Sequence, residues 1–144
     1  MKVKQYHVDQ VGLHQFFGSL EARIMELMWN SMEKTSIRHI HETLNLESPI
    51  SFNAVMTVLN RLWEKGILHK DSQGQGRTKT SYFLPLQTKE QFLAEKTREV
   101  TQGLIKEFGD VVVNHLIDTI EDVDPALLNK LEEKLEEAKK RNLL

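Results

Sequence analysis

The sequence has no cysteine, which removes disulfide frameworks, thiolate metal sites, cysteine nucleophiles and thiol redox switches together. It has no apolar run approaching the about 20 residues of a membrane span. Its opening MKVKQYHVDQ lacks the apolar core of a secretory signal. A cytoplasmic protein without membrane association is expected. No glycine-rich phosphate loop and no nucleophile-elbow glycine pattern occurs, so the serines, histidines and aspartates form no recognisable catalytic arrangement. No enzymatic activity, cofactor or metal is expected. His39 and His41 stand two apart, which places them on different faces of a helix, and they are expected as exposed or capping residues and not as metal ligands.

A dominant charge sign is missing too. The net charge is -2, but it is unevenly spread. Residues 1–87 carry ten Lys and Arg against eight Asp and Glu, whereas residues 88–144 carry nine against thirteen. Five of the six histidines also lie in the first part. This asymmetry permits an anion-binding N-terminal part and an acidic partner-binding tail, although a typical DNA-binding domain is more basic. The 144 residues, 40% hydrophobic and 28% charged, suffice for one globular domain with an appended helical segment.

Residues 1–17 show no sustained period and are expected as an extension. From Gly18 the pattern sharpens. Leu20, Ile24, Leu27 and Met28 fall on one helical face, with Gly18 or Ser19 as N-cap, and Met25 and Trp29 widen the apolar surface. Thr35 or Ser36 caps a second, shorter helix whose inward residues are Ile37, Ile40 and Leu44 and which ends near Asn45. Pro49 breaks the chain, and Ser51 caps a third helix that Gly66 closes. Val55, Val58, Leu59 and Leu62 share its inner side. Opposite them lie Asn53, Thr57, Asn60 and Glu64, flanked by Ala54 and Arg61, a polar and mostly uncharged face. After Gly66, two short strand-like runs joined by the glycine-containing QGQGR predict a β-hairpin with Arg77 and Lys79 at its tip. Trp29 and Trp63 are expected in a core or interface, because large aromatics mostly bury their area.

Thr88 and Gln91 form a capping box that opens a long helix, which Gly109 ends near Phe108. Asp110 caps a following helix, and Asp124 with Pro125 starts the last one. Leu93, Val100, Leu104, Phe108, Val112, Leu116, Leu128, Leu131 and Leu135 supply narrow apolar stripes on these helices. Such stripes without a core of their own predict pairing with a second copy. The expected fold is mainly α with a small β wing: a winged helix-turn-helix at 18–87 followed by a helical dimerisation domain at 88–144.

GSLEARIMELMW in the first helix, AVMTVLNRLWEKGIL through the third, the GR of the hairpin, and Tyr82 with Pro85 together resemble the penicillinase-repressor family of bacterial regulators, over roughly residues 18–140. The resemblance implies a symmetric homodimer that binds a near-palindromic double-stranded DNA operator and represses transcription. It implies that Asn53, Thr57 and Arg61 face DNA, where Asn bonds adenine, the Thr methyl meets thymine, and Arg bonds guanine or phosphate. Asn60 lies on the same face, and Ala54 is placed for a thymine methyl. Arg77 and Lys79 on the hairpin are expected on phosphates or in the minor groove, and Ser36 and Arg38 at the start of the second helix on a phosphate.

The departures are as informative. The family's protease-cleaved Asn-Phe bond would fall near 115–117, where this chain has His115, Leu116 and Ile117. The copper-responsive branch carries C-terminal cysteine pairs, which are absent. A regulatory protease or an inducer of unknown chemistry is the remaining expected partner. Two other functions share these features: a winged-helix module that binds protein through the same faces, and a repressor controlled by a small ligand in the dimer cleft.

Overall fold

The computed structural model describes residues 3–8, 10–31, 33–122 and 124–143. They divide into two compact units, Met1–Val100 and Thr101–Leu144.

In the first unit a 3-10 turn at Gly12–Gln15 precedes α1 (Ser19–Ser31), a two-residue strand β1 (Thr35–Ser36), α2 (Ile37–Glu47), α3 (Phe52–Glu64), β2 (Leu68–Gln73) and β3 (Thr80–Pro85). The three strands form an antiparallel sheet in the order β1-β3-β2. Leu68 faces Pro85 and Gln73 faces Thr80 across the hairpin, while Thr35 and Ser36 face Phe83 and Tyr82. Strand β1 was not legible as a strand, since two residues carry no period. Ser36 both ends it and caps α2, its hydroxyl accepting from His39 N–H at 3.2 Å. Helix α2 runs two residues beyond the expected Asn45, and Ser48 N–H closes it on the Leu44 carbonyl.

The core collects the apolar faces the helical spacing predicts. Ile24, Met25, Met28, Ile40, Leu44, Val55, Leu59, Leu62 and Phe83 are almost wholly buried, at roughly 1.5–3 kcal/mol of transfer free energy for each large side chain. Leu13 and Phe17, from the segment expected as an extension, join the same cluster. The two tryptophans divide: Trp29 is buried, its indole N–H donating to the Gln87 carbonyl at 2.9 Å, whereas Trp63 is 44% exposed.

Helix α4 begins at Lys89 on the predicted capping box. Thr88 Oγ1 accepts from Gln91 N–H at 3.1 Å, and Thr88 N–H donates to Gln91 Oε1 at 3.0 Å. Phe92 anchors its first turns in the core, 5.1 Å from the Phe17 ring and 5.4 Å from that of Trp29. The expected stop at Gly109 is not a stop. The chain departs from helical geometry at Phe108 (φ -131°, ψ 27°) and resumes to Glu121. Gly109 is not among the glycines at positive φ, so the left-handed turn that ends a helix never forms.

In the second unit, α5 (Pro125–Leu143) starts where Asp124 Oδ1 accepts from Ala126 N–H at 2.9 Å. No described residue of this unit is buried.

Candidate nucleic-acid interface

The candidate interface is organised by α3, whose ends are fixed locally. Ser51 Oγ accepts from Ala54 N–H at 3.1 Å at the start. At the finish Gly66 adopts φ +78° and Ile67 N–H reaches the Leu62 carbonyl at 3.0 Å, the reversal that a left-handed residue allows. The turn from α2 is pinned by His41, whose Nε2 lies 2.7 Å from the Ile50 carbonyl, with the Phe52 ring edge-on to the imidazole. That is the role of one histidine that composition alone left open.

With Val55, Val58, Leu59 and Leu62 buried, Asn53, Thr57 and Arg61 are exposed. Thr57 Oγ1 donates to the Asn53 carbonyl at 2.8 Å, which ties the hydroxyl to the helix's own backbone. Ala54 and Asn60 are half-buried. Asn60 is engaged within the protein, because Lys70 Nζ donates to its Oδ1 at 3.0 Å.

The electrostatics resolve what the net charge concealed. Eight Lys and Arg lie between residues 18 and 87. Arg23, Lys34 and Lys65 form ion pairs with Glu47, Asp71 and Glu21, and Lys70 is held by Asn60. The remaining four, Arg38, Arg61, Arg77 and Lys79, are exposed and have no carboxylate partner among the described residues. The Lys34 ammonium beside Asp71 holds that carboxyl below its usual range and is bound to it at 2.7 Å.

Arg77 and Lys79 sit at the hairpin tip, where a 3-10 turn at Gly76–Thr78 follows Gly74. Gly74 has φ +87°, and a Cβ there would stand 2.5 Å from the Thr78 carbonyl oxygen, so the tight reversal requires glycine. Ser36 is committed to capping α2, with Arg38 exposed in its first turn. The contact between Lys70 and Asn60 joins β2 to the outer edge of α3.

The apolar stripes fall out as follows. Leu93 packs against the core of the first unit, and Val100 is half-buried. In the second unit Leu104, Phe108, Leu116 and Leu135 are exposed, and Val112, Leu128 and Leu131 are half-buried. Ile105, Val111, Val113, Ile117 and Leu127 are also exposed. They escaped the stripe count because a helix with apolar residues around much of its surface has no single face for periodicity to find.

Lys70 was missed as well. A lysine in a strand that alternates with polar neighbours reads as solvated, and only the register opposite Phe83 reveals its inward position. Lys96, 2% exposed, is a buried cation, held by Glu99 at 3.1 Å and Glu95 at 3.7 Å.

The model of the penicillinase repressor family matches residues 17–137. Two curated relatives, each described as transcriptional regulator BlaI, come from Mycobacterium tuberculosis strains CDC 1551 / Oshkosh and ATCC 25618 / H37Rv. Each is 35% identical over 51 residues, which are 35% of this chain and 37% of the relative. The matched stretch thus spans little more than a third of the curated relatives' length.

Proposed function

The chain belongs to the penicillinase repressor family, and from that membership and the form of α3 we propose that it is a transcriptional repressor that binds a near-palindromic DNA operator as a homodimer. The observation that carries this proposal is the outer face of α3, where Asn53, Thr57 and Arg61 stand exposed on a helix capped at both ends and buried along its other side. A helix about 10–12 Å across fits a major groove about 12 Å wide. Arg61 then bonds guanine or phosphate, and the Thr57 methyl meets a thymine methyl. Arg38, Arg77 and Lys79, which have no carboxylate partner among the described residues, supply phosphate contacts that set position without reading sequence.

Pairing is supported by the second unit, in which Leu104, Phe108, Leu116 and Leu135 are exposed and no described residue is buried. Two copies joined there place two α3 helices on half-sites about one helical turn of DNA, or a multiple of it, apart.

Binding of the full chain to the promoter of its own gene tests the proposal. Thr57→Ala and Arg61→Ala proteins that keep their thermal unfolding profile are expected to lose about tenfold in affinity each. With 6–10 phosphate contacts, raising salt from 50 to 200 mM weakens wild-type binding by roughly 10³–10⁵. Undiminished affinity in both variants refutes the assigned helix. Salt-insensitive or absent DNA binding, with a protein partner retained instead, identifies a protein-interaction module.

A further inference from the structure

Lys70 has an unusual setting for a strand lysine. Its carboxylate neighbour Asp71 is taken by Lys34 at 2.7 Å. Its own Nζ donates to Asn60 Oδ1 at 3.0 Å and stands 4.8 Å from the centre of the Trp63 ring and 5.8 Å from that of Phe83. Two ring faces and a partly buried position hold the ammonium where it is. An ammonium has three donors and no acceptor, so the Asn60 atom facing it is the oxygen. The amide does not turn over while Lys70 is present, since that would set two donors against each other.

We propose that Lys70 fixes the base preference of Asn60, turning it from a reader of adenine into a reader of guanine. The inference rests on α3 being the helix that enters the major groove. A free Asn reads adenine by presenting oxygen and amino group side by side, one to the N6 donor and the other to the N7 acceptor. With its oxygen engaged by Lys70 toward β2, Asn60 offers the groove chiefly its Nδ2 amino group. Guanine presents N7 and O6, both acceptors, to such a donor, whereas the adenine N6 amino group meets no acceptor. Lys70 acts here as a positioning residue: it reaches the base through Asn60.

Selection of bound duplexes from a randomised pool tests this with the full-length wild type and the K70M, K70R and N60D proteins, each checked for folding by circular dichroism. Wild type and K70R, which both keep a cationic donor, are expected to favour guanine over adenine by about tenfold at one base-pair position. K70M releases the amide and moves that position toward adenine by about tenfold while the other positions keep their preferences. N60D retains the contact with Lys70 but lacks the amino donor, so guanine preference there is lost even if K70M does not fold. A structural role alone weakens all sequences evenly. Identical base preferences in the folded proteins, or uniform weakening without a change at any single position, overturns the inference and leaves the repressor proposal standing. A wild type that selects no sequence at all overturns the repressor proposal itself.

Discussion

At the scale of single residues, the ion pairs decide which charges face outward. Arg23, Lys34 and Lys65 are spent on carboxylates of the same unit, which is why a chain of net charge -2 still presents Arg38, Arg61, Arg77 and Lys79 unpaired among the described residues. Glu99 is the acid with the clearest structural duty. Burial pushes its carboxyl up, but the Val3 N–H at 2.9 Å and the Lys96 ammonium outweigh burial and hold it below the ordinary 4.5. A carboxyl depressed in the folded state binds fewer protons there than in the unfolded chain. Its stabilisation is therefore complete above 4.5 and is lost as pH falls through the folded value. Denaturation midpoints followed from pH 7 downward are expected to drop below pH 4.5 in the wild type. Glu99→Gln starts from lower stability at neutral pH and shows a shallower acid decline. An equal acid slope in both proteins removes Glu99 from this role.

At the scale of elements, helix α3 was legible because its determinants are local. Ser51, the Val55–Leu62 stripe and Gly66 lie within one stretch of chain, and each acts on its immediate neighbours. The hairpin is local in the same way, through Gly74. Gly74→Ala forces a left-handed alanine against the Thr78 carbonyl and is expected to destabilise the hairpin by about 1–3 kcal/mol. Hydrogen exchange of residues 72–81 then quickens and DNA affinity falls, while α1–α3 keep their protection. Unchanged exchange shows that the tip relaxes around the methyl group. The α4 break was legible in place but not in kind. Gly109 marks the place, yet whether a helix stops or bends there depends on backbone angles that hydrophobic spacing does not record.

At the scale of the whole molecule, Leu104, Phe108 and Leu116 are exposed in one copy, and a second copy is the proposed cover for them. Sedimentation is expected to give twice the 16.7 kDa chain mass. Leu104→Asp with Leu116→Asp shifts the protein toward monomer and reduces operator affinity, because two half-sites are then no longer bound as one ligand. A wild type that stays monomeric at micromolar concentration excludes this arrangement. No helix among the described residues is long and apolar enough to cross a membrane, so the exposed apolar residues do not form a transmembrane helix.

The sequence by itself determined the order of helices and hairpin and the side of α3 that turns outward, because apolar periodicity and capping act over one or two turns. Only the tertiary structure decided which cations are unpaired, that Leu13 and Phe17 belong to the core, and that Lys70 grips Asn60. Those outcomes depend on residues far apart in the chain meeting in space: Lys34 finds Asp71 and Lys65 finds Glu21 only after the sheet register and the packing of α1 against α3 are set.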